Sequence, residues 1–223
     1  METTRKHRVP EMEGFQARWY AKNRGTAAQL TQYRRQAAEV TSGWPEGADI
    51  LEVAPGPGFF AIELAKRGFH VTGLDISHTM VEIARENRAD LAIDFRQGDI
   101  THAPFDAESF DFLVCQAAFK NFRQPVAALN EMHRVLRPGG FAVIHDLNHE
   151  ATGADIGREV ASMNVGVVSS FTVRQTLGWL RRRAFTREQF EALAAESAFG
   201  GCSVTTDGIG LEVRLTRGPA PIG

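Results

Sequence analysis

A chain of 223 residues, 43% of them hydrophobic, buries one substantial core and is short for two. With 25 basic against 27 acidic residues, a formal net charge of -2 and no single-sign block, nothing favours a nucleic-acid partner. No stretch approaches the roughly 20 apolar residues that cross a bilayer, the polar segment Met1 to Pro10 lacks the apolar core of an export signal, and Cys115 and Cys202 have neither zinc nor redox spacing; a cytoplasmic protein with free thiols and no membrane partner is expected, monomer and homodimer both staying open.

Residues 1–13 are charged and read as a disordered tail. From 14 to 47 the chain reads as an N-terminal helical lid: Phe15, Trp19 and Tyr20, then Leu30, Tyr33, Ala37 and Val40 recur at helical spacing, and the turn-rich Ser42 to Gly47 ends the segment. Trp19, Tyr20 and Tyr33 either pack on the body or face a ligand. The main domain is expected over 48–223. It opens with Ile50-Leu51-Glu52-Val53, an apolar strand running through Ala54 and Pro55 into a corner at Gly56 and Gly58 and then a helix. Glycine lets backbone approach a ligand closely, and the helix N-H groups then face it. Gly56 to Ala61 also meets the loose dinucleotide fingerprint, so an NAD(P)-dependent dehydrogenase stands as an alternative. Phe69 to Asp75 supplies a second strand, and Asp75 lies about twenty positions past Gly56, the interval that brings a carboxylate to ribose hydroxyls. Capping of the helix from Ser77 is the other reading of Asp75.

Ala92 to Gln97 gives a third strand leading into Gly98-Asp99-Ile100, where a carboxylate can accept from an exocyclic amine and an Ile can cover a flat base. Phe110 to Gln116 is a strand apolar enough to be buried on both faces. After it come Phe119, Lys120, Asn121 and Phe122, then a helix through Leu136 that Arg137-Pro138-Gly139-Gly140 is expected to stop. The fifth strand, Phe141 to Ile144, is expected to end in a polar cluster of His145, Asp146, Asn148 and His149. Residues 150–184 break the alternation and read as a helical insertion or cap containing Met163, Phe171 and Trp179; Arg181, Arg182 and Arg183 read as a solvated face. A helix over 187–199 and a hairpin of Cys202 to Thr206 with Leu211 to Thr216 close the chain. The fold class is α/β: a Rossmann-like, mostly parallel seven-stranded sheet flanked by helices, with a C-terminal antiparallel hairpin and a small helical cap.

Over residues 48–217 the chain resembles the class I S-adenosylmethionine-dependent methyltransferases, through Glu52-Val53-Ala54-Pro55-Gly56-Pro57-Gly58, Gly73-Leu74-Asp75, Gly98-Asp99-Ile100, Phe110 to Val114 and Arg134 to Gly140. The resemblance implies S-adenosylmethionine as cofactor and S-adenosylhomocysteine as product. It implies that Glu52, Ala54, Pro55, Gly56 and Gly58 pass beneath the methionine part, that Asp75 with Ile76 meets the ribose, that Asp99 and Ile100 hold the adenine, and that Gln116 lies by the methionine ammonium, with Tyr20 added from the lid. Ala54 stands where the family usually has its first glycine, and a methyl group is expected to fit there.

The implied reaction is displacement at the sulfonium methyl by an O, N or C nucleophile of a small molecule, held at near-attack distance. His145 and His149 are candidate bases, with Asp146 to orient one of them, and Asn121 is a candidate to orient the substrate. Phe119, Lys120, Phe122, Met163, Phe171 and Trp179 are expected to line the substrate pocket. No metal is expected. A protein that binds S-adenosylmethionine without transferring its methyl, as a cyclase, an isomerase or an inactive relative, is the alternative of a different class.

Overall fold

The computed structural model describes residues 12–162 and 167–219. Seven strands form one sheet: β1 (Asp49–Val53), β2 (His70–Asp75), β3 (Ile93–Gln97), β4 (Phe110–Gln116), β5 (Leu136–Leu147), β6 (Ser203–Asp207) and β7 (Gly210–Thr216). Their order is β3-β2-β1-β4-β5-β7-β6, parallel except where β7 runs against β5 and β6. The order reverses between β1 and β4, so the carboxyl ends of those two strands frame the crevice where such sheets take ligands.

Alternation along the strands sorts their side chains onto two faces. Ile50, Phe112, Val114, Phe141 and Val143 pack toward α2 (Ala27–Val40), α3 (Phe59–Ala65) and α4 (His78–Asn87), through Ala37, Phe60, Leu64, Val81 and Ala84. Leu51, Val53, Leu113, Cys115, Ala142, Ile144, Val213 and Leu215 pack on the other face against α5 (Pro125–Val135) and α8 (Arg187–Glu196). α1 (Gly14–Arg24) lies on α4 through Ala17, Ala21, Met80 and Ile83. Thr26 and Thr186 start α2 and α8 with reciprocal capping boxes to Gln29 and Gln189.

Two features differ from the sequence expectations. Met12 and Glu13, expected in the tail, clasp the start of α4: Glu13 accepts from the N-H groups of His78 and Thr79 and from the Thr79 hydroxyl, and Met12 O accepts from Ser77 Oγ. Arg137 to Gly140 lies inside β5, whose twelve residues begin directly after α5; the register with β4 shifts between Phe110 and Phe112. There Gly139 takes φ +82, and a Cβ on Gly140 would stand 2.5 Å from Asp111 O, so the glycines serve a strand irregularity rather than a stop. The insertion holds α6 (Gly153–Ser162) and the fifteen-residue α7 (Val167–Arg181).

Candidate functional site

β1 ends in the corner that shapes the site. Gly56 and Gly58 take φ +54 and +77, a region costly for residues with a Cβ. A Cβ on Gly56 would meet nothing within 4 Å, leaving open room above the corner, whereas one on Gly58 would stand 2.7 Å from Phe95 Cζ. Gly58→Ala is therefore expected to lower stability by about 2 kcal/mol, read from the urea midpoint. Ala54 takes φ +57 and Ala117, just past β4, takes φ +55. The methyl of Ala54 is thus accommodated, at a conformational cost, and both strained residues flank the crevice.

A cavity of about 730 Å³ opens over these strand ends. Its floor is Glu52, Ala54, Pro55, Gly56, Gln116 and Ala117; α1 and α2 contribute Tyr20, Arg24, Gln29 and Tyr33, and the far wall is His145, Glu159, Thr205, Asp207 and Glu212. Strand parity explains much of this wall. Gln116 is paired with His145 across β4 and β5, His145 with Glu212 across β5 and β7, and Glu212 with Thr205 across β7 and β6. These four residues therefore form one polar row on the α3 face of the sheet, at its carboxyl rim.

Four buried polar atoms at the site lack hydrogen-bond partners: Arg24 Nε, Glu52 Oε2, Gln116 Nε2 and His145 Nδ1. Native interiors leave few such groups, and all four residues line the one cavity, which marks it as a ligand site. Burial pushes the Glu52 carboxyl up to about 8; the Ala61 N-H opposes the shift and the Asp75 charge adds to it. Arg24 lies 5.3 Å from the Tyr20 ring centroid. Its guanidinium is held above the usual range by its tyrosine neighbours Tyr20 and Tyr33, against the largest opposing effect, its own burial. Arg24 and Glu212 are site residues that the sequence patterns did not single out.

Asp75, Ile76, Asp99 and Ile100 stand outside this cavity, at the ends of β2 and β3. Asp75 is buried and accepts from Gly56 N at 3.0 Å and Ser77 N at 2.9 Å, tying the corner to the start of α4. Burial raises its pKa, with those two N-H groups opposing the rise. Ile76 is 44% exposed, whereas Ile100 packs in the core with Leu74 and Leu113; the exposed apolar side chain at this edge is Ile76, not Ile100. Asp99 is exposed and accepts from Thr101 N.

Several candidates take other places. His145 and Asp146 lie within β5, not beyond it, and their parity is opposite. Asp146 faces α5's side of the sheet and pairs with Lys120, Nζ to Oδ1 2.8 Å, so it does not orient His145. Lys120 is consequently buried and away from the cavity wall, and Phe119 is fully buried against Phe185 and Phe190 with Phe122 beside it. His149 Nδ1 bonds the carbonyl of Arg181, tying the end of β5 to α7. Asn121 is exposed in a short 3-10 turn. Phe171 and Trp179 are 66% and 50% exposed, with the Arg183 guanidinium over the Trp179 ring, and neither lines the cavity. Met163 lies outside the described residues. Among the described residues no helix is long and apolar enough to cross a membrane, and no group of three or more His, Cys, Asp or Glu is placed to hold a metal ion.

Residues 51–144 match the family model described as a methyltransferase domain. Demethylmenaquinone methyltransferase of Renibacterium salmoninarum is 35% identical over 125 residues, covering 56% of this chain and 52% of that protein. The chain spans about half the length of the curated relatives it matches, 52% and 51% for the first two. A Methanococcus maripaludis protein provisionally assigned as an S-adenosyl-L-methionine-dependent methyltransferase superposes with a TM-score of 0.76 at 21% identity, covering 98% of this chain and 100% of that one. The plantazolicin methyltransferase BpumL, solved with a desmethyl analogue and S-adenosylhomocysteine, superposes with a TM-score of 0.66 at 17% identity over 91% of this chain and 89% of that one. Residues 51–144 therefore carry the match to a methyltransferase domain, and the sheet order and strand-end corner share the fold of S-adenosylmethionine-dependent methyltransferases.

Proposed function

We propose that the protein transfers the methyl group of S-adenosylmethionine to a small-molecule nucleophile and releases S-adenosylhomocysteine. The observation that carries this reading is the unpartnered set at the β1 and β4 ends: Arg24 Nε a donor, Glu52 Oε2 an acceptor, Gln116 Nε2 a donor. An α-amino acid end presents the complement, a carboxylate for Arg24 and Gln116 and an ammonium for Glu52. The open space above Gly56 supports the same placement. A carboxylate offers about four lone-pair sites and Asp75 uses one on each oxygen, so it retains capacity for ribose hydroxyls, with Ile76 and Asp99 beside it for the base.

The bound sulfonium supplies an electrophilic methyl carbon. The chain's part is to orient the acceptor against it and exclude water, with α1 and α2 as the lid. We include in the proposal a cytoplasmic setting and a single small-molecule partner, for which the buried free thiol of Cys115 is the support. The relatives named for demethylmenaquinone make a ring-unmethylated naphthoquinol one acceptor to include in a screen.

Incubation with S-adenosylmethionine labelled in its methyl group and a panel of phenols, amines and that naphthoquinol is expected to move label and release S-adenosylhomocysteine. Binding of S-adenosylhomocysteine without any label transfer would favour the non-transferring alternative, and no binding would overturn the reading. Arg24→Ala is expected to weaken S-adenosylhomocysteine binding about 10- to 100-fold, since a hydrogen bond to a charged group contributes roughly 1.5 to 3 kcal/mol. Unchanged affinity by calorimetry would remove Arg24 from the site.

A further inference from the structure

The His145 ring is held from the terminal hairpin. Its Nε2 is 2.9 Å from Oε2 of Glu212, the residue directly opposite it in the β5–β7 ladder, and both line the cavity. The second ring nitrogen, Nδ1, is buried without a partner. An ionised carboxylate only accepts hydrogen bonds, so in the neutral ring the nitrogen facing Glu212 carries the proton and Nδ1 is the bare one. Neighbouring charges do not compete for this role. Asp146 points through the other face of the sheet to Lys120. Gln116, opposite His145 in β4, is uncharged, and the Glu159 and Asp207 carboxylates reach the same cavity from α6 and the hairpin.

We propose that Glu212 is a positioning residue for methyl transfer: it fixes His145 in the tautomer with a bare Nδ1, which takes the proton from an acceptor carrying a hydroxyl or amine hydrogen on its attacking atom. This rests on the methyltransferase reading above. As the acceptor atom bonds to the methyl carbon, the carbon–sulfur bond breaks with its electron pair passing to sulfur, and the acceptor's proton passes to Nδ1. The product side is then a methylated acceptor, a neutral thioether and an imidazolium beside the Glu212 carboxylate, so charge and protons balance. A base so placed accelerates transfer by about 10²- to 10⁴-fold.

The tautomer is read directly in the full chain by long-range ¹H–¹⁵N NMR of the histidine rings, with the His145 signals identified by their loss in His145→Gln. Neutral His145 is expected to be protonated on Nε2. Glu212→Ala is expected to give a mixture of tautomers, and Glu212→Gln, whose carboxamide oxygen still accepts, to keep the original one. A wild-type ring protonated on Nδ1, or a ring unchanged in Glu212→Ala, overturns the proposal, and the wild-type measurement needs no variant to fold. Calorimetric titration with S-adenosylhomocysteine separates this from failure of the methyltransferase reading. If the wild type does not bind, that reading fails whatever the tautomer; if wild type and both variants bind alike but the tautomer is wrong, only the role of Glu212 fails. On an acceptor returned by the screen, Glu212→Ala is expected to lower kcat about 10²-fold with KM nearly unchanged. An unchanged kcat, or a loss confined to KM, would also overturn it.

Discussion

Lys120→Met is expected to lower stability by about 3 to 5 kcal/mol, the usual cost of stranding one member of a buried ion pair. The side chains of Lys120 and Asp146 are 4% and 2% exposed, and Nζ stands 2.8 Å from Oδ1. Asp146 Oδ2 also accepts from the Lys120 N-H at 2.8 Å, and its Oδ1 from the Leu147 N-H at 2.8 Å. Lys120 Nζ additionally donates to the Ala117 carbonyl. Removing the ammonium leaves a carboxylate in the core with two backbone donors and no cation. Methionine fills a similar volume, so the loss registers charge rather than a cavity. The double variant Lys120→Met with Asp146→Leu is expected to recover much of the stability, because an apolar pair of similar volume avoids the desolvation that the ion pair carries. Urea midpoints at neutral pH measure both. A loss below about 1 kcal/mol for the single variant would be the behaviour of a solvated pair and would contradict this burial. The pair also has a functional position: it clamps the turn after β4 onto β5, and Gln116 and His145 are the last β4 residue and its β5 partner.

What could be read from the sequence follows from how local each signal is. Glu52 to Gly58 announced itself because strand, glycine corner and helix are contiguous, and Asp75 because a βαβ unit fixes its interval. Gln116 and His145 were recognisable as strand-end polar residues. Glu212 was not, because its meaning depends on a register joining residues 67 apart, and a hairpin pattern alone does not set which face each residue takes. Phe119 and Lys120 misled for a related reason: a position just past β4 suggests the cavity, but the 3-10 turn there folds both side chains into the core. Aromatic composition likewise marked Phe171 and Trp179 without giving the side of α7 on which they stand, and Arg24 was hidden in a segment whose apolar residues carried the pattern. Proline and glycine in Arg137 to Gly140 were legible as punctuation, yet the same residues also make a strand irregularity, and only pairing with β4 distinguishes the two.

Glu52 is expected to make stability fall as pH rises, the opposite of the usual carboxylate. Its pKa moves from the ordinary 4.5 to about 8 on folding, chiefly because burial penalises the charged form. Between those two values the folded protein holds a proton that the unfolded chain has released. Stability therefore declines with pH, by about 1.4 kcal/mol per unit from this group alone. The contribution is fully present below about 4.5 and is lost as pH passes through 8. Because other groups titrate as well, the quantity to measure is the stability of Glu52→Gln minus that of the wild type, from urea unfolding without ligand at several pH values. That difference is expected to grow in favour of the variant from pH 5 to pH 8; a flat difference would mean that Glu52 is ionised in the folded protein. Ligand binding gives the complementary sign. An ammonium placed at Glu52 favours its ionised form, so S-adenosylhomocysteine bound near pH 7 is expected to release a proton to the buffer and to bind more tightly as pH approaches 8. Calorimetry in buffers of different ionisation enthalpy counts that proton. Glu52→Gln, with nothing to release, is expected to bind more weakly and with an enthalpy independent of buffer.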